Sequence, residues 1–207
     1  MIQVLLVEDS NITRQALKDC LESSPDYMIR ESINSAANAE LVCMGGGIDL
    51  VLMDVCTAFD ESGLEAAAAI KRSYPRIKVL IMTSMPECSF IRKARESGCD
   101  GFWYKEDGEE DILSACDRLM EGKSVWPEET PVIRVGNARS TEFTEQELEV
   151  LRALAKGYKH EEIAERLCIS VNTLKYHVRN LLQKTGYRST LQLVVDAVDK
   201  KLILPRY

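Results

Sequence analysis

Short runs of Val, Ile, Leu and Met alternate with stretches of helical period through residues 1–121. Strands are expected at 3–7, 28–33, 50–53, 79–82 and 101–104, and helices at 12–22, 38–44, 63–73, 88–97 and 110–121. In the first helix Ile12, Ala16, Leu17, Cys20 and Leu21 share one face, and Ser10 stands where an N-cap belongs. The run LVLM at 50–53 is wholly apolar, as a parallel strand covered on both faces should be. Five strand–helix repeats predict an α/β unit with a parallel sheet.

After Gly122 the pattern lapses into SVWPEETPVIRVGNARS, which holds two prolines, a glycine and no helical period. A linker is expected over 122–140, between a first domain at 1–121 and a second at 141–207. Thr144 with Glu147 spells a T-x-x-E capping box, and Gly157 closes the helix that follows. Further helices are expected at 160–167, 171–185 and 191–201. Four short helices with tight turns and no strand predict an all-α bundle.

With 207 residues and 45% hydrophobic composition, the chain is long enough for two such cores. No apolar run approaches the roughly 18 residues of a membrane span, and Met1 leads straight into a strand, so a soluble, cytoplasmic protein is expected. The seven cysteines are odd in number and scattered without a C-x-x-C, and only two histidines are present, which argues against a disulfide framework or a zinc site. Charge is unevenly placed. Residues 1–121 carry 12 Lys+Arg against 22 Asp+Glu, whereas 122–207 carry 14 against 11, and the stretch from Arg166 to Val195 holds Arg166, Lys175, Arg179, Lys184 and Arg188 with no acidic residue. Halves of such different charge predict different partners.

The candidate chemistry of the first half lies at strand ends. Glu8 and Asp9 follow the first strand, Asp54 the third, Thr83 the fourth and Lys105 the fifth. In an open parallel sheet the carboxyl ends share one edge, where such folds bind ligands. Singly, each residue has an ordinary reading: helix-capping acids, a strand-end hydroxyl, a surface charge. Together, three carboxylates suit a hard divalent cation, and a carboxylate beside a cation and an ammonium suits attack on a phosphoryl group.

The segments VLLVEDS, VLMDV, VLIMTS and GFWYKED resemble the receiver domain of two-component response regulators across about residues 1–121. The resemblance implies a flavodoxin-like (βα)5 fold in which Asp54 accepts phosphate from a sensor histidine kinase. It implies Mg2+ held by Glu8, Asp9, Asp54 and the Cys56 carbonyl, with Thr83, Phe102 and Lys105 as switch residues. Two positions depart from the family pattern. Ala58 stands where a proline is usual, and Ser62 where a glycine is, with Gly63 one residue late. The loop CTAFDESG is therefore one residue longer than the family pattern and lacks a rigid turn.

In the second half, LCISVNTLKYHVRNLLQKTG places Leu174, Val178 and Leu181 on one helical face and Asn172, Tyr176, Arg179 and Gln183 on the other, with Lys175 at the boundary. A single amphipathic helix of this kind is as readily an ordinary solvated face. The preceding HEEIAERL and its brief connection make a helix-turn-helix able to enter a major groove. The stretch from FTEQELE to QKTG is similar to the LuxR-type DNA-binding domain, and with the receiver it points to the NarL/FixJ response regulators. The resemblance implies that Lys175, Tyr176 and Arg179 meet bases or phosphates, that Thr173 and His177 lie near the DNA backbone, and that the last helix pairs copies into a homodimer on two-fold symmetric double-stranded DNA. Lys159 replaces the usual Ser or Thr cap of the scaffold helix. Two alternatives stay open: a phosphorylation-independent regulator with an atypical receiver, and a phosphohydrolase with Asp54 as nucleophile, although Cys56 stands where such enzymes carry a second acid.

Overall fold

The computed structural model describes residues 1–105 and 111–203, apart from the side chains of Asp60 and Cys88. The chain divides into two compact units, Met1–Ser84 with Phe90–Glu129 and Thr130–Tyr207 with Met85–Ser89.

The first unit is a five-stranded parallel sheet of β1 (Ile2–Val7), β2 (Tyr27–Ile33), β3 (Leu50–Asp54), β4 (Lys78–Thr83) and β5 (Gly101–Tyr104), in the order β2-β1-β3-β4-β5. Its helices are α1 (Asn11–Glu22), α2 (Ala39–Met44), α3 (Gly63–Ser73), α4 (Cys88–Glu96) and α5 (Ile112–Met120). The expected start of α5 at Glu110 lies outside the described residues; within them, Asp111 caps the helix by accepting from the Ser114 amide at 2.9 Å. Leu17 and Leu21 of α1 and Ala115 and Leu119 of α5 pack on Val4, Leu6, Leu50 and Leu52 in one buried cluster. Every residue of β3 is buried, which accounts for its unbroken apolar run. Burying each such aliphatic side chain contributes about 1.5–3 kcal/mol.

The sheet edge opposite the strands' carboxyl ends is tied by Asp100. Its carboxylate accepts from Lys71 Nζ and Lys78 Nζ, both at 2.8 Å, and from the Val79 amide at 3.0 Å. Burial works to raise this carboxyl's pKa, but the lysine bonds outweigh it and leave it below the usual value.

The second unit holds α6 (Glu145–Ala155), α7 (His160–Arg166), α8 (Val171–Thr185) and α9 (Thr190–Asp199). The expected absence of strands is corrected here. A hairpin of β6 (Arg134–Val135) and β7 (Ala138–Arg139) lies inside the segment expected as linker. Val135 and Ala138 are buried in the same core as Leu148, Leu174 and Leu193. Gly136 turns the hairpin at φ 57°, and a Cβ there would stand 2.2 Å from the Thr185 carbonyl oxygen, so the turn presses on the end of α8 and only glycine fits. The Thr144–Glu147 capping box forms as expected, with bonds of 2.8 and 3.2 Å. Lys159 supplies no side-chain cap to α7; instead Glu162 reaches back to its amide at 2.8 Å, keeping half of the box. No described helix is long and apolar enough to cross a membrane.

Candidate functional site

Strands β1 and β3 are direct neighbours, with Val7 paired to Met53, so the residues that follow them emerge side by side. Carboxylate oxygens of Glu8, Asp9 and Asp54 lie within 4.8 Å of one another. Glu8 and Asp54 are buried. Lys105, which follows β5, places Nζ 2.5 Å from Glu8 Oε2 and 3.1 Å from Asp54 Oδ1. The Ser10 amide donates to the other Glu8 oxygen at 2.9 Å. Three carboxylates against one ammonium leave the cluster negative, and the ligand atoms it offers are all hard oxygens, a set suited to magnesium rather than to a soft metal.

Arg14 carries no signal in the sequence beyond its charge. From the first turns of α1 its Nη1 donates to the carbonyls of Glu8, at 2.7 Å, and Asp9, at 3.5 Å, fastening the turn that carries both acids.

Thr83 and Lys105 are tied through the backbone, the Lys105 amide donating to the Thr83 carbonyl at 2.9 Å, and both Asp54 and Thr83 end their strands buried. Phe102 pairs with Ile81 across the sheet, is 1% exposed and meets Tyr104 edge to face at 5.1 Å between ring centres. The sequence-expected acids, Lys105 and Thr83 thus occupy the same end of one sheet, and Phe102 lies two residues below that end in β5.

The extra residue in the loop after β3 is absorbed by a turn at Ala58–Asp60 in which Phe59 takes φ 62°, a left-handed conformation that costs a bulky side chain about 1 kcal/mol. The loop nevertheless has firm anchors. The Ala58 amide donates to the Asn34 carbonyl at 3.0 Å, and Thr57 Oγ1 accepts from the Ala36 amide at 2.9 Å. Glu61 accepts from the Ser35 hydroxyl at 2.5 Å and the Ala37 amide at 3.0 Å, bonds that hold its carboxyl below the usual range. These side chains fix the loop where a proline turn was missing. Cys56, half-buried, bridges to Ser62 across the loop.

In the second unit, Asn172, Thr173, Lys175, Tyr176, Arg179 and Gln183 are exposed on α8 and His177 is half-buried, while Leu174, Val178 and Leu181 face the core. Ser170 caps the helix, its Oγ accepting from the Thr173 amide at 3.0 Å. The Arg179 guanidinium lies 5.6 Å from the Tyr176 ring centre, and Tyr176 meets His177 at 5.8 Å, so the exposed face is a connected cationic and aromatic surface. Lys184 does not belong to it. Its Nζ donates to Glu147 Oε2 and to the Glu142 carbonyl, both at 2.6 Å. Leu191 and Val195 are exposed apolar residues one turn apart on α9.

Two family models match the chain: the response regulator receiver domain over residues 4–117, and the luxR family of bacterial regulatory proteins over 141–197. Among curated relatives, response regulator protein VraR of Staphylococcus epidermidis is 33% identical over 207 residues, covering 98% of this chain and 99% of that protein. VraR of Staphylococcus aureus is likewise 33% identical, over 209 residues. Among solved structures, the response regulator ChrA of a heme-sensing two-component system aligns with a TM-score of 0.53 at 24% identity, covering 98% of both chains. RcsB of Salmonella typhimurium aligns with a TM-score of 0.57 at 20% identity, covering 96% of this chain and all of that one, a likeness of fold. An acidic pocket at the carboxyl edge of a (βα)5 sheet, a helix-turn-helix unit behind it in the chain, and a full-length relative one-third identical lead to one conclusion: this chain belongs to the two-component response regulators that join a receiver domain to a LuxR-type helix-turn-helix domain.

Proposed function

We propose that the protein is a transcription regulator switched by phosphorylation of Asp54, with a sensor histidine kinase as donor. The meeting of Asp54 with Glu8, Asp9 and Lys105 carries this reading. An Asp54 oxygen attacks phosphorus, the bond from phosphorus to the donor imidazole breaks, and the electron pair leaves with the imidazole. Glu8, Asp9, Asp54 and the Cys56 carbonyl would hold a magnesium ion, which would supply the positive charge for a phosphoryl group to approach three carboxylates. Lys105 leaves its bond to Asp54 for a phosphoryl oxygen, and Thr83 donates its hydroxyl to another. Phe102 then changes rotamer beneath them, shifting the receiver between two states.

In the second domain, Lys175, Tyr176 and Arg179, flanked by Asn172 and Gln183, enter the major groove, while Thr173 and His177 lie along the backbone. Leu191 and Val195 of α9 join two copies on a two-fold symmetric site. Their exposure supports this, and so does a solved structure of two RcsB dimers bound to two parallel DNAs, 19% identical to this chain.

Acetyl phosphate with magnesium, read by intact mass, tests the acceptor. One phosphoryl adduct is expected, lost in Asp54→Asn. The lengthened, left-handed turn at Phe59 favours the alternative of a phosphate-independent receiver, for which the unmodified protein takes up no phosphoryl group yet binds DNA.

A further inference from the structure

The chain that leaves α5 returns to the sheet before it departs. Val125 forms a parallel bridge with Gly101, at the outer edge of β5. The Phe102 amide donates to the Val125 carbonyl at 2.7 Å, so the exit segment holds the backbone of the aromatic assigned above to the switch. The approach is close enough that a Cβ at Gly101 would stand 2.9 Å from that carbonyl oxygen and 2.8 Å from Leu80 Cδ1. Val125 is buried in the core that includes Leu80 and Leu119. The next residue, Trp126, is half-buried with the Arg95 guanidinium of α4 4.1 Å from its ring centre, well within the about 6 Å of a cation–π pair.

We propose that Val125 and Trp126 are positioning residues for the phosphorylation switch. The edge of β5 and Arg95 form a docking surface whose partner is this chain's own exit segment, and phosphorylation of Asp54 loosens the dock. The inference rests on the reading of Asp54 and Phe102 given above. The route is short: Asp54 pairs with Met82 on β4, β4 pairs with β5, and the Phe102 amide points away from β4 to Val125. Two strands thus separate the acceptor from the segment that leads to the second domain. Coupling of this kind is reciprocal, so releasing Trp126 in advance must favour the phosphorylated state by the same factor that phosphorylation favours release.

The experiment uses the full chain in three forms. Trp103→Phe leaves Trp126 as the sole tryptophan. With acetyl phosphate and magnesium, its emission should shift with the time course of the mass adduct, and Asp54→Asn should abolish both. A full adduct with unchanged Trp126 emission overturns the proposal. Trp126→Ala should speed amide exchange at Phe102 about tenfold while leaving Leu52, in the middle of the sheet, unchanged, and Trp126→Phe should restore protection by keeping a ring for Arg95. Unchanged Phe102 exchange in Trp126→Ala also overturns it. Absence of any adduct is the failure of the Asp54 reading, and it removes the switching role of the dock with it; the exchange measurement then still decides whether the dock holds Phe102.

Discussion

Gly63 lies directly against the backbone of Asp54: a Cβ on Gly63 would stand 1.8 Å from the Asp54 carbonyl oxygen, a distance no side chain tolerates. The Gly63 amide bonds to the Val55 carbonyl at 2.8 Å, holding the contact shut. The glycine that follows Asp54 is therefore fixed by this approach, and the extra loop residue is taken up before it. Gly63→Ala should destabilise the first domain by about 1–3 kcal/mol and displace Asp54 enough to cut phosphoryl uptake several-fold. Thermal melting and intact mass in acetyl phosphate check the two effects.

Asp100 predicts an acid-sensitive sheet. Its folded pKa is depressed, because the bonds from Lys71 and Lys78 outweigh the cost of burial. The stabilisation is therefore complete above the unfolded value, about 3.9, and is lost as pH falls through the lower folded value. Asp100→Asn should weaken the first domain at pH 7 and flatten its loss of stability in acid. Both tryptophans, Trp103 and Trp126, lie in that domain, so urea unfolding followed by their emission reports it separately.

Lys184 and Lys175 stand on one helix with opposite expectations. Lys184 is bonded to Glu147, whose own burial raises its pKa less than Lys184 and the Thr144 amide lower it. Lys184→Ala leaves a buried acid short of a partner and should cost about 1–3 kcal/mol of stability, with the salt dependence of DNA binding unchanged. Lys175→Ala should leave melting unaltered and, for a phosphate contact, lower the salt slope by about 1. Binding titrations at several salt concentrations separate them.

Cys168 closes α7 at φ 52°, with its amide bonded to the Glu165 carbonyl at 3.1 Å and the Ile169 amide to the Ala164 carbonyl at 2.9 Å, a Schellman turn with the left-handed place filled by a β-carbon. Its side chain is exposed, so Cys168→Gly gives up no packing. Thermal melting should rise by the equivalent of up to about 1 kcal/mol. A lower melting temperature would show that the thiol has contacts of its own.

The hairpin sets where the second domain begins. A fragment 141–207 lacks Val135 and Ala138, which the core buries, and two such losses together cost about 2–5 kcal/mol. Fragment 130–207 should melt cooperatively and well above 141–207 in calorimetry. Equal melting temperatures would place the hairpin outside the folding unit.

The parts legible in the sequence are those with a period or a position. LVLM announces a strand because both its faces are covered, and Glu8, Asp9, Asp54, Thr83 and Lys105 are found together because strand ends share an edge. The hairpin at 134–139 escapes such reading, since two-residue strands have no period and lie among prolines and glycine. The Val125 bridge is one residue long. Lys184 counts as one more positive charge until its partner, 37 residues away, is known. Arg14 acts through backbone carbonyls and Glu61 through a backbone amide and the Ser35 hydroxyl, 26 residues away, which no local pattern of side chains marks.

The adjacency of β1 and β3 has a consequence for how such a chain can change over time. The spacing between the acid pair and Asp54 is set by a hydrogen-bonded ladder, about 4.8 Å from strand to strand, and by no crossover segment. Insertions in the crossovers leave that ruler untouched, as the lengthened turn at Phe59 already illustrates. Loops can lengthen or shorten around a fixed gauge, and the carboxylates it spaces stay the same distance apart.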